Sequence, residues 1–234
     1  MCGRFTLRTP MNVLVEHFQL NTADQLPLRF NIAPTQLIAV VRRTLSAPSR
    51  ELSLLRWGLV PSWAKDATMG SRMINARAET VAEKPTFRTA FRRRRCLIPA
   101  DGYYEWQKVG ARKQPYYIRL RDGQPFAFAG LWEGWRGGGA EGDQPLETCT
   151  IITTDANELS RPIHDRMPVI LSVEDYDLWL DPGVEERAKL EPLLQPYDPT
   201  RMAADPVSTF VNNVRNDDDR CVAMQGNPPE VRGT

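Results

Sequence analysis

At 234 residues the chain can bury one large core or two small ones. Its 41% hydrophobic and 25% charged content is that of an ordinary globular protein, with no apolar run near the roughly 18 residues of a bilayer span and no basic-then-apolar signal pattern, so a cytoplasmic, bacterial-type protein is expected. A net charge of +1 excludes a broad cationic coat for duplex DNA, and four scattered cysteines beside two histidines give neither a disulfide framework nor a metal site.

The chain opens Met-Cys-Gly-Arg-Phe. Methionine before so small a residue is normally trimmed, which leaves Cys2 with a free amine and a thiol on adjacent carbons. Such a 1,2-aminothiol condenses with an aldehyde: the amine gives a Schiff base, and the thiol then closes a five-membered thiazolidine. An α-amino group titrates at about 7.7–8.0 and is partly neutral at pH 7. Ring closure is intramolecular, where effective molarities reach about 10⁵–10⁸ M. Cys2 also reads as a small buried hydrophobe, and position alone does not choose between the two.

Thr9-Pro10 predicts an N-cap and first helical position, with Met11, Leu14 and Phe18 at helical spacing and His17 structural. Residues 21–36 read as irregular around Asn31-Ile32-Ala33-Pro34. Strands are predicted over 37–41 and from 52 to 58, followed by a long loop over 61–71. A helix is expected over 80–94, ending in four arginines, and a buried strand over 96–99. Residues 103–106 and 116–120 flank a polar turn with Gly110 and form a hairpin. After a turn at Asp122-Gly123 come a strand over 126–131 and a flexible loop over 134–143 with five glycines. A strand over 148–154, a capped helix from Ser172 to Trp179, a helix over 184–194, a last strand over 207–214 and a disordered tail from 226 complete the chain. Strands joined by short turns with few helices predict an α+β fold: one domain, residues 2–225, of packed and largely antiparallel sheets.

Several of these segments carry chemistry. Asn75, Arg77 and Glu79 alternate and so share one face of a strand, either a solvent edge or a functional row. Glu105 lies between Tyr104 and Trp106, where lost hydration raises a carboxyl pKa toward general acid–base use. His164 sits among Arg161, Asp165 and Arg166 between two prolines, in a loop where an imidazole can shuttle protons. Arg4, Arg77, Arg161, Arg166 and the run 92–95 offer planar forks for phosphate, although the run also reads as a solvated helix end. Trp57, Trp63 and Trp106 could stack on unpaired bases or fill the core. Residues 1–120 hold 20 Lys+Arg against 8 Asp+Glu, and the remaining 114 hold 10 against 21. The first half is thus +12 and the second −11. Either the first half meets a polyanion or the halves interleave and neutralise one another.

Taken in order, the MCGRF start, FNIAPT at 30–35, RWGLVPSWA at 56–64, INARAET at 74–80, RCLIPADGYYEW at 95–106, KQPYYI at 113–118 and IHDRMPVIL at 163–171 resemble the SRAP family, the SOS-response-associated peptidase fold known for abasic-site processing. The chain departs from the family pattern at residues 211–216, where many members have a glycine near position 212 or 213. The resemblance implies barrel-like packed sheets with peripheral helices and a basic cleft for single-stranded DNA. It implies that Cys2 attacks the ring-opened aldehyde of an abasic site and leaves a shielding thiazolidine crosslink, without cofactor, metal or membrane and in a monomer. In that scheme Asn75 positions the N-terminus and the sugar, Glu105 is the general acid/base, and His164 assists proton transfer and crosslink reversal. Arg4, Arg77 and Arg166 hold phosphates, while Trp57 and Pro34 wedge or stack at the junction. A thiol peptidase using Cys2 and His164, with lyase chemistry as a further outcome of the Schiff base, is the alternative, and a non-covalent single-strand binder is the third possibility.

Overall fold

A computed structural model describes residues 2–21, 24–44, 46–137 and 144–224. Its strands are, in chain order, β1 (Phe5–Leu7), β2 (Arg29–Ile32), β3 (Leu37–Thr44), β4 (Ala47–Trp57), β5 (Asn75–Arg77), β6 (Arg95–Ala100) and β7 (Gly102–Val109). They continue with β8 (Arg112–Leu120), β9 (Phe126–Trp135), β10 (Leu146–Asp155), β11 (Arg166–Pro168), β12 (Ile170–Leu171) and β13 (Met202–Pro206). Four short α-helices lie among them, α1 (Met11–Phe18), α2 (Arg88–Arg93), α3 (Tyr176–Leu180) and α4 (Arg187–Leu190), together with several 3₁₀ turns. The fold is α+β in one domain. No helix among the described residues is long and apolar enough to cross a membrane.

The smaller sheet runs β13-β8-β7-β1-β2 and is antiparallel throughout. The larger holds the other eight strands, with β10 parallel to β4 and β5 and antiparallel to β9 and β11. Because β9 pairs with both β6 and β10, the ladder β3–β4–β10–β9–β6 returns to β3. The chain changes sheets at Asp101-Gly102, between β6 and β7. Glycine is required there, since a Cβ would lie 2.5 Å from the Tyr117 ring. Asp101 holds the bend by accepting from the Arg8 N–H and the Thr9 hydroxyl.

Alternation along β1 and β7 gives the smaller sheet two apolar faces. One packs on the larger sheet: Phe5 meets Trp57 and Phe128 edge-on, with ring centroids 5.3 and 5.7 Å apart, and Cys2 and Tyr103 share this main core. The other face carries Tyr104 and Tyr117, covered by Val207, Val211 and Cys221 of the C-terminal segment.

That cover replaces the predicted last strand over 207–214. The strand lies earlier, at β13, and Thr209–Asn212 forms a 3₁₀ turn capped by Ser208. Residues 29–32, expected to be irregular, become β2 because β1 has a free edge that only backbone pairing can satisfy. The helix expected over 80–94 shrinks to α2, since Pro85 lacks an N–H and restricts the residue before it. The capped helix from Ser172 is a 3₁₀ turn running into α3, without a side-chain cap from Ser172. The helix over 184–194 is α4 plus a 3₁₀ turn. Thr9 spends its hydroxyl on Asp101, and Pro10 stands at the N-cap of α1. Gly134 and Trp135 extend β9, so the glycine loop begins later. Residues 138–143 of that loop and the tail from 226 lie outside the described residues.

Candidate active site

Three strands and one loop converge on the start of the chain. Phe5, locked between Trp57 and Phe128, fixes where residues 2–4 run. Cys2 is fully buried, and its carbonyl accepts the side-chain N–H of Asn75 at 2.9 Å. Asn75 begins β5, which docks in parallel on β10 at Ile151. Its Oδ1 has no hydrogen-bond partner among the described residues, so the amide keeps one acceptor in reserve beside Cys2. Burial first and the charge of Glu105 second push the Cys2 thiol far above the ordinary thiol range, so the sulfur is held protonated.

Glu105 is buried in β7, and burial raises its carboxyl above the usual range, partly offset by the nearby His164. The aromatic wall expected around it is built differently. Tyr104 and Trp106 point to the opposite face of β7, and the space between the sheets is what dehydrates the carboxylate.

His164 ends a tight loop whose backbone N–H bonds to Ser160 O. The N–H of Arg166 lies 3.0 Å from His164 Nδ1. The exposed Asp165 carboxylate lies 2.9 Å from the same nitrogen and accepts its N–H whenever Nδ1 carries a proton. Glu105 and His164 both face a cleft of about 540 Å³, together with Arg4, Trp106, Lys113 and Asn212.

The expected phosphate ligands divide. Arg77 is exposed and makes no ion pair among the described residues. Arg4 lines the cleft but is tethered, donating to Asn31 Oδ1 and Val211 O, both at 2.9 Å. Both terminal nitrogens of Arg166 are engaged: they span Glu79 at 2.6 and 3.0 Å, Asp155 at 2.8 Å and Thr153 O at 2.7 Å. The side chain braces the His164 loop and offers no open fork.

Trp57 also departs from expectation. It is fully buried and donates its indole N–H to Ile74 O at 2.9 Å, so neither ring face is open to a base. Pro34 is half-buried in a turn docked on the Trp57 backbone through Thr35 N–H, 2.8 Å from Trp57 O. Trp63 is 58% exposed, and Trp106 is half-buried at the cleft. The arginine run is no free helix end either. Arg92 and Arg93 pair with Glu185, Arg94 pairs with Glu133, and Arg95 is buried among the carbonyls of Phe91, Arg92, Trp179, Asp181 and Val184.

A family model described as SOS response associated peptidase (SRAP) matches residues 1–214. The chain belongs to the SRAP family. It is 46% identical over 220 residues to the abasic site processing protein YoqW of Bacillus subtilis, covering 92% of this chain and 96% of that one. It is 35% identical over 219 residues to the abasic site processing protein HMCES of Gallus gallus, covering 83% of this chain and 64% of HMCES. A crystal structure of a Bacteroides thetaiotaomicron protein matches with a TM-score of 0.81 at 29% identity, covering 96% of this chain and all of that one.

In this SRAP chain a larger concavity, about 830 Å³, lies elsewhere, edged by Glu79, Asp155, Glu158, Glu191 and Asp198. That rim is mostly acidic, with Arg161 as its one cation among the lining residues, whereas the smaller cleft holds Arg4 and Lys113 beside Glu105 and His164. Sequence reasoning missed Lys113 and Asn212 on its walls. Asn212 accepts the Trp106 indole N–H at 2.7 Å, and only the fold of the C-terminal cover brings the two together.

Proposed function

We propose that this chain processes abasic sites in DNA by capturing the ring-opened aldehyde on Cys2, in single-stranded DNA. The relatives' names point to the lesion. The observation that carries the chemistry is the buried cluster in which Asn75 grips Cys2 while Glu105, its carboxyl pushed up by burial, and His164 stand at the adjoining cleft.

With Met1 removed, the Cys2 amine adds to the aldehyde carbon and gives a carbinolamine. Loss of water, with the leaving hydroxyl protonated by Glu105, gives the Schiff base. That Schiff base is an iminium that keeps its N–H; the thiol adds to its carbon, a C–S bond forms, the S–H proton returns to the Glu105 carboxylate, and the thiazolidine closes. One water leaves overall and no electron transfer is needed. A carboxyl raised toward neutrality suits both duties, since it must give a proton and then take one. The elevated thiol also fits, because amine attack comes first and a protonated sulfur does not compete. A thiol peptidase needs the opposite, a thiol lowered by an imidazolium partner.

The phosphate role falls to Arg4 and Arg77, with Lys113 at the cleft mouth. The test is a uracil-containing single strand treated with uracil glycosylase, incubated with the mature chain and run on a denaturing gel. Wild type gives a heat-stable shifted band, and Cys2→Ala gives none. One uncleavable residue added before Cys2 also abolishes the band, because it turns the amine into an amide. A wild type without a band sinks the proposal, and a stable band from the extended chain refutes the thiazolidine.

A further inference from the structure

Tyr103, Glu105 and Gln107 alternate along β7 and so share the face that looks toward the His164 loop. The two outer members fasten that loop. Gln107 donates its side-chain N–H to Pro162 O at 3.0 Å, and the Tyr103 hydroxyl lies 3.3 Å from Ser160 Oγ in a fully buried setting. Ser160 and Pro162 are the loop's own framework. Ser160 O accepts the backbone N–H of both Ile163 and His164 at 2.9 Å, and the Ser160 N–H is held by Asn157 Oδ1 at 2.9 Å. The strand that presents Glu105 therefore grips, on either side of the carboxyl, the turn that presents His164.

We propose that Gln107 and Tyr103 are positioning residues that set the His164 ring against Glu105. This inference rests on the crosslinking chemistry proposed above. Neither side chain is among those that line the cleft. Their effect passes through the loop. Freed from β7, the loop keeps its internal bonds but loses its placement, and a misplacement of about 1 Å at a reacting group costs on the order of 10²-fold in rate.

The decisive substitution is Gln107→Glu, nearly isosteric and half-exposed, which replaces the donor with an acceptor facing the Pro162 carbonyl. Gln107→Leu and Tyr103→Phe accompany it, each confirmed folded by circular dichroism. Single-turnover crosslinking to the abasic strand is expected to slow by about 10–100-fold, while affinity for the same strand without a lesion stays within twofold. In a His164→Ala background the same substitutions should cost less than twofold further, because residues acting through one group are not additive. Rates within twofold of wild type, or an equal loss in both backgrounds, overturn the proposal. A second readout needs no crosslink. The chain has two histidines, so the ¹⁵N signals of the His164 ring can be assigned directly. Those ring signals should shift between wild type and Gln107→Leu, because the ring moves relative to the Glu105 carboxyl, and unchanged ring signals overturn the proposal. If wild type forms no crosslink, the chemistry fails, and the ring signal alone decides the positioning.

Discussion

Glu105 and Arg95 show how the same burial does opposite work at single residues. Glu105 is a carboxyl whose ionised form the inter-sheet space disfavours. Its raised pKa means that its contribution to stability is fully present below the unfolded-state value and is lost as pH rises through the folded-state value. Glu105→Gln removes that loss. The urea midpoint of the variant relative to wild type should therefore climb between pH 4 and pH 7, and a flat difference would mean the carboxyl is not strained. On the proposed chemistry the same variant crosslinks about 10²–10⁴-fold more slowly, and the limb of the pH–rate profile above the ordinary carboxylate range disappears. Arg95 is a buried cation that stays charged because carbonyls of Phe91, Arg92, Trp179, Asp181 and Val184 surround it. A lysine carries the charge but not the planar fork. Arg95→Lys should cost about 1–3 kcal/mol in urea unfolding, the penalty for buried acceptors left unpaired.

At the scale of elements, residues 207–222 matter most. They add no ladder to the sheet beyond the isolated bridge of Val207 with Met224, yet they close its second apolar face and one wall of the cleft. Their anchor is Asn31, fully buried, whose side-chain N–H groups reach the carbonyls of Val211, Asn213 and Asn216 at 3.1, 3.1 and 2.7 Å. Asp217 completes it by accepting the backbone N–H of Phe30 and Asn31. Asn31→Ala should therefore lower stability by about 1–3 kcal/mol. Because the cover loosens first, trypsin should cut at Arg215 well before global unfolding. Cleavage that merely tracks global unfolding would show that the cover and the sheet are one cooperative unit.

For the whole molecule the question posed by the uneven charge is resolved. Arg29, Arg42, Arg43, Arg50, Arg92, Arg93, Arg94 and Arg119 of the first 120 residues all pair with carboxylates of the remainder. The halves interleave, and six carboxylates of the second half offset about half of the apparent excess. Both sheets also draw strands from both halves, since β13 completes the smaller and β9 and β10 complete the larger. Residues 1–120 expressed alone should consequently remain unfolded by far-ultraviolet circular dichroism, and in the intact chain fluorescence and dichroism should report one coincident urea transition. Since few cations remain free at the cleft, the salt slope of DNA binding should be shallow, no steeper than about −3 on a log–log plot for roughly four phosphates at about −0.7 each.

Read alone, the sequence determined the α+β class, the β7–β8 hairpin and the residues Cys2, Asn75, Glu105 and His164 as candidates, because alternation, turn residues and ordered motifs are local properties of the chain. It could not tell a stacking tryptophan from a core one, nor a phosphate-binding arginine from a braced one. Trp57, Arg95 and Arg166 owe their roles to partners at Ile74, Trp179 and Glu79 that lie 17, 84 and 87 residues away. Only the tertiary structure decided those, and for one physical reason: burial and hydrogen-bond saturation are set by whatever the rest of the chain brings to a side chain, and its neighbours in sequence do not fix that.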